Sequence, residues 1–116
     1  MRVSNMAKFA FWVTVESKLG KEHEVEEFLK SARAMAEMEP GTLTWYAVKL
    51  GQSKYAIFDS FADEGGRKAH LTGKIAQALF GLGRELLAKD PEVHKLDVLA
   101  AKTMDVMKLQ GKAHGT

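Results

Sequence analysis

The chain has 116 residues, 46% of them apolar and 28% charged, which is the length and composition of one globular domain rather than a disordered segment. It has no cysteine, so disulfides, thiolate metal sites and a cysteine nucleophile are all excluded. The formal charge is +2, but Lys102, Lys108 and Lys112 against Asp105 carry all of it. The body, 1–101, is balanced, and this speaks against a nucleic-acid partner, which calls for a basic folded surface.

The opening stretch MRVSNMAKFAFWVTVES sets basic residues before a short apolar run. That run alternates like a strand and has no small-residue cleavage pattern, so no export signal is expected. Nothing approaches the roughly 18–20 apolar residues of a membrane span. The expectation is a cytoplasmic protein with no membrane partner.

In chain order, FAFWVTVE at 9–16 predicts a first strand with Phe9, Phe11, Val13 and Val15 on one face and Ala10, Trp12 and Thr14 on the other. Val25, Phe28, Leu29, Ala32, Met35 and Ala36 then recur at steps of three and four, predicting a helix over about 21–38. Pro40-Gly41 stops it. A second strand is expected at about 42–50 and a third at about 55–61, joined by the turn residues GQSK as an antiparallel hairpin. Asp63 fits as N-cap of a short helix, about 64–72. After Gly73 a further helix is expected over 74–89, with Ile75, Leu79, Leu82 and Leu86 on one stripe. The last strand is expected at about 92–100. Residues 102–116 read as a tail, with no second domain.

This order is the split βαβ, ferredoxin-like arrangement of the α+β class, a four-stranded antiparallel sheet with helices on one face. Strands one to three are apolar on both faces, including both parities of TLTWYAVKL. An antiparallel sheet wet on one side should have one polar face. A second copy of the chain is therefore expected on the bare face, giving a homodimer. The alternative cover is the tail, whose TMDVMKL has the apolar residues for it.

EPGTLTWYAV, YAIFDSFADEGGRKAHLTGKIAQAL and LLAKDPEVHKLDVL together resemble the antibiotic biosynthesis monooxygenase family of dimeric α+β barrels, over about residues 9–101. The marks are the Pro-Gly turn before strand two with Tyr46 inside it, Asp59 and Phe61 near the end of strand three, and the helix histidine His70. The resemblance implies a homodimer with facing sheets and a mainly apolar cleft between sheet and helices. Members of the family oxygenate quinols or polycyclic phenols without metal, flavin or haem; others cleave haem, and relatives of the same architecture are isomerases. Asp59 and Phe61 stand where many members have Glu and Trp. On this basis the chain is expected to be a monooxygenase with no cofactor and a small aromatic or hydrophobic ligand, or else a non-enzymatic ligand binder, a haem-degrading member or an isomerase.

His70 suits proton abstraction from a phenol, because imidazole titrates near neutrality; the alternative is packing at a helix end. Asp59 shares a parity with Ile57 and Phe61 and would orient the ring, unless it faces solvent at the sheet edge. These two are the catalytic candidates. Trp45, Tyr46, Phe58 and Phe61, with Trp12, are candidates for an aromatic pocket, and each serves equally as core or dimer interface. Gly81-Leu82-Gly83 lacks the third glycine of a dinucleotide loop, and close packing on the sheet or room for a ligand would account for the pair. His23, His94 and His114 make no metal-ligand spacing with His70. The basic-aromatic strand motif of an RNA-binding ferredoxin-like module is absent from YAIFDSF.

Overall fold

The computed structural model describes residues 6–104. The elements are β1 (Phe9–Glu16), α1 (Glu22–Glu37), β2 (Thr42–Lys49), β3 (Lys54–Phe61), α2 (Glu64–Leu71), α3 (Lys74–Leu86) and β4 (Glu92–Asp97). The sheet order is β2-β3-β1-β4 with every pair antiparallel, the ferredoxin-like order. The expected elements all form.

Two ends differ from expectation. Helix α3 stops at Leu86, three residues early, because Leu87 turns extended and bridges Ser17 while Ala88 N–H donates to the Glu16 carbonyl at 2.8 Å. Leu87 is buried there, and that burial outweighs another half-turn of helix. Strand β4 ends at Asp97 because its partner β1 runs out at Phe9. Beyond it Leu99 is almost fully exposed. The suggested cover of the sheet by the tail falls, from residue 105 on, outside the described residues.

Register assigns the two faces. Directly paired residues share a face, so Phe11, Asp59 and Trp45 lie side by side, as do Val13, Ile57 and Ala47. This is the helix-covered face. Phe11, Val13 and Val15 pack with Tyr55, Ile57 and Phe61 against Val25 and Leu29 of α1 and Leu79 and Leu86 of α3. The opposite face carries the row Tyr46, Phe58, Trp12 and His94 across the four strands. No element of the described chain covers that row, and Tyr46 is 58% exposed.

One irregularity matters for the site. A bulge at Leu43 shifts the register of β2, so that Thr42 pairs with Phe61 and Thr44 with Ser60. Strict alternation would put Thr42 on the face of Thr44 and Tyr46. The extra residue turns it to the helix side instead, as bulges beside functional sites do.

Candidate functional site

Three elements converge on one imidazole. His70 is in the last turn of α2, Asp59 near the end of β3, and Glu39 in the turn between α1 and β2. His70 Nε2 lies 2.8 Å from Asp59 Oδ2, and Nδ1 lies 2.6 Å from Glu39 Oε1. Asp59 is completely buried, His70 nearly so, and the Glu39 side chain is 20% exposed. Glu39 Oε1 also accepts from Thr42 Oγ1 at 2.6 Å, the hydroxyl that the bulge re-aims. Phe61 packs against the imidazole with the rings tilted by 44° and 5.3 Å between centroids, and meets Phe11 edge-on.

The backbone permits this convergence at one seam. A Cβ on Gly41 would fall 2.8 Å from Gly66 Cα, and one on Gly66 would fall 2.8 Å from the Gly41 carbonyl oxygen. Only two glycines let α2 dock this closely on the α1–β2 turn. Asp63 caps α2 by accepting from Gly66 N–H at 2.8 Å, which fixes the phase of the helix and therefore where His70 points.

The electrostatics follow from burial. The loss of water around His70 is the largest single influence and favours the neutral ring. Asp59, and after it Glu39, favour the charged ring, and together they prevail, so the His70 pKa is raised above the usual imidazole range. The Asp59 contact is close but poorly directed. Neither of its oxygens has a well-aligned hydrogen-bond donor among the described residues, so His70 compensates it chiefly as a nearby charge. The unit is a carboxylate, an imidazole and a second carboxylate in a row, able to hold or release a proton between the core and the surface.

Space is distributed unequally on the two sides of His70. Toward the core, between the sheet and α3, there is a cavity of about 30 Å³ lined by Phe11, Ile57, Asp59, Ile75 and Leu79, room for water but not for an aromatic ligand. Those side chains fill the space between the sheet and α3 at this place. Toward the surface, between the end of α1 and the α2–α3 corner, lies a groove of about 610 Å³, within the range of small-molecule sites. Met35, Met38, Pro40 and Ala69 give it apolar walls, and Glu39, Thr42, His70 and Lys74 are its polar members.

Of the residues singled out from the sequence, His70, Asp59 and Phe61 come together. Trp45 flanks Asp59 on the same face but lines a separate cleft of about 510 Å³ between α1 and β2; its indole N–H is buried without a partner among the described residues. In that cleft Tyr55 donates to Glu26 at 2.6 Å, and burial with the Glu26 contact pushes its pKa up to about 12. Tyr46 and Phe58 project from the opposite face of the sheet, because their parity differs from that of Asp59 by one residue. Among the described residues they share no pocket with His70. Close packing on the sheet does not require Gly81 and Gly83, since a Cβ on Gly81 meets nothing within 4 Å and one on Gly83 meets only Leu87 at 3.8 Å.

Sequence reasoning missed Glu39, Thr42 and Arg67. Arg67 is buried over the Phe9 ring, paired with Glu64 at 2.7 Å and donating to the Leu96 carbonyl at 3.2 Å, where it ties α2 to β4. The signal for Glu39 was its place beside Pro40-Gly41: a carboxylate at a helix end, where the negative pole of the helix disfavours it, needs a partner. Among the described residues no group of three or more side chains is arranged to hold a metal ion, and no helix is long and apolar enough to cross a membrane.

No protein-family profile and no curated protein matches the chain. Among solved structures, the NE2512 protein of unknown function from Nitrosomonas europaea is 44% identical with a TM-score of 0.84, covering 87% of this chain and 98% of that one. An antibiotic biosynthesis monooxygenase-like protein from Nitrosomonas europaea has a TM-score of 0.73 at 11% identity over 84% of this chain and 97% of its own. One from Chloroflexus aurantiacus has 0.66 at 17% identity over 85% of this chain and all of its own. The last two share the fold.

Proposed function

We propose that this chain, which belongs to the same family as the NE2512 protein of Nitrosomonas europaea, is an oxygenase-type enzyme that needs no bound cofactor and acts on a planar phenol or quinol. The observation that carries this reading is the buried contact of His70 with Asp59, 2.8 Å apart, with the imidazole packed against Phe61. A titratable pair with a perturbed imidazole, next to a ligand-sized groove, is the arrangement expected of an acid–base site. The fold shared with the monooxygenase-like proteins agrees with it.

In this reading neutral His70 takes up the hydroxyl proton of the ligand. The resulting phenolate gives one electron to O₂, and the carbon radical and superoxide combine. One oxygen atom ends as a ring carbonyl in place of two hydrogens and the other leaves as water, so the substrate supplies all four electrons. The protein contributes a base, orientation and exclusion of water. Asp59 is a positioning residue that holds the ring and increases its basicity. Because the His70 pKa is raised, the rate should rise with pH through a value above the ordinary imidazole range.

The enzyme works as a homodimer through the row Tyr46, Phe58, Trp12 and His94, whose uncovered aromatic surface has no partner in the described chain. Sedimentation equilibrium should give about twice 12.8 kDa, and Tyr46→Asp should give the monomer without unfolding it. A wild-type mass of one chain would end that part of the reading.

A second reading is a non-enzymatic binder of a hydrophobic ligand. It is favoured by the engagement of both ring nitrogens of His70 with carboxylates, which leaves neither open to a ligand directly. The same engagement disfavours haem cleavage, which needs a nitrogen free for iron. The test is anaerobic mixing with a panel of quinols and with haem, followed by oxygen uptake on readmission. Uptake above the uncatalysed rate, lowered roughly 10²–10⁴-fold in His70→Gln, supports the enzyme. Uptake at the buffer rate for every quinol leaves the binder, and a Soret shift with haem reopens haem chemistry.

A further inference from the structure

We propose that the groove between the end of α1 and the α2–α3 corner is the ligand site, that it takes a planar aromatic molecule bearing a hydroxyl group, and that Glu39 receives the hydroxyl proton. This rests on the acid–base reading above and adds to it a place, a contact residue and a ligand class.

Three observations locate the site. The space toward the core is about 30 Å³ and the groove about 610 Å³, so of the two spaces beside His70 the groove is the one that admits a ring system. Of the two carboxylates on His70, Asp59 is sealed in the core, whereas Glu39 is partly exposed and lines the groove. Glu39 Oε1 is committed to Thr42 Oγ1 and His70 Nδ1, both at 2.6 Å. Its Oε2 lies along Gly73, where even a methyl carbon would approach it to 3.2 Å. Gly73 has an ordinary extended conformation, φ −85 and ψ −174, which any residue can adopt. A Cβ there would also stand 3.1 Å from the Ala69 carbonyl oxygen and 3.3 Å from that of His70, so glycine keeps this corner clear of both the backbone and the carboxylate.

The walls indicate the ligand. Met35 and Met38 are flexible thioethers that adapt to flat rings, and Pro40, Ala69 and the Cα atoms of Gly66 and Gly73 give a smooth apolar surface. A carboxylate in such a groove is matched by a hydrogen-bond donor on the ligand, and Lys74 supplies a cation for the oxygen once it has lost its proton. In the transfer the ligand O–H bond breaks and its electron pair stays on oxygen. The proton enters at Glu39 and comes to rest on Nδ1 of neutral His70, which becomes the imidazolium between two carboxylates. No other bond changes, and oxygen chemistry follows on the phenolate.

Binding of 2-naphthol and of naphthalene by calorimetry separates this site from the alternatives. Wild type should bind 2-naphthol about tenfold or more tighter than naphthalene, the scale of one hydrogen bond to a charged group. Glu39→Gln should abolish that preference and leave naphthalene unchanged. Ala69→Trp, a change at an exposed helix position that fills the groove, should weaken both by about tenfold or more with the circular dichroism unaltered. Binding of 2-naphthol that survives both variants, or no binding of either probe by wild type, would overturn the site. Binding as expected with no oxygen uptake from any quinol would leave this site standing and overturn the oxygenase reading instead.

Discussion

Replacing His70 by alanine should destabilise the fold severely. The structure places His70 at 7% exposure against a completely buried Asp59. The imidazole Nε2 at 2.8 Å is the charge that compensates Asp59, and neither carboxylate oxygen has an aligned donor among the described residues. Removing one partner of a buried ion pair costs about 3–5 kcal/mol, because the other charge is stranded. A domain of this size has about 5–15 kcal/mol in total, so His70→Ala keeps only part of its stability and is a poor activity probe. The double variant His70→Ala/Asp59→Asn removes the stranded charge. It should be more stable than the sum of the single changes, by about 1–3 kcal/mol of coupling. Urea unfolding followed by circular dichroism gives all four corners of the cycle, with m compared to confirm two-state behaviour. If His70→Ala unfolds within about 1 kcal/mol of wild type, or if the two changes simply add, the buried pair is not holding the site together.

Gly41→Ala should destabilise by about 1–3 kcal/mol, the cost of overpacking, since its Cβ falls 2.8 Å from the Gly66 backbone; thermal unfolding reads this, and an unchanged midpoint would mean that α2 docks less closely than described. Gly81→Ala should do the opposite, stabilising by about 1 kcal/mol or about 4–8 °C in midpoint, because nothing stands within 4 Å of the new methyl group. The stability that His70 contributes should depend on pH in one direction. Its pKa is raised on folding, so the contribution is complete below the unfolded imidazole pKa of about 6.5 and is lost as pH rises through the higher folded value. The difference in urea midpoint between wild type and His70→Gln should therefore shrink on going from acid to alkaline buffer, and a difference that grows would reverse the assignment of charge.

The fold was legible because its signals are local and repeated. The alternation FAFWVTVE, the helical stripe from Val25 to Ala36 and the stop at Pro40-Gly41 each fix an element within a residue or two. The ends of α3 and β4 were not legible, since both depend on how far β1 extends as a partner. At the site, Asp59 and His70 could be paired from their separation across one turn. Glu39 could not, because its approach to His70 depends on two glycine backbones in contact at 41 and 66, and no periodicity records that. The helix-side place of Thr42 was not legible either, because one bulged residue reverses the faces of a strand. The aromatic residues Tyr46 and Phe58 were grouped with His70 on chemistry alone, and register separates them to the other side of the sheet.

On the geometry above, His70 is a proton-holding group clamped between Asp59 and Glu39. Titration of the ¹⁵N-labelled imidazole by NMR tests it most directly. Both ring nitrogens of His70 should carry protons through the ordinary imidazole range, the ring should titrate above it, and Glu39→Gln and Asp59→Asn should each move the titration toward acid. A ring that is neutral at pH 6.5 and titrates at or below that value, unmoved by either substitution, would contradict it.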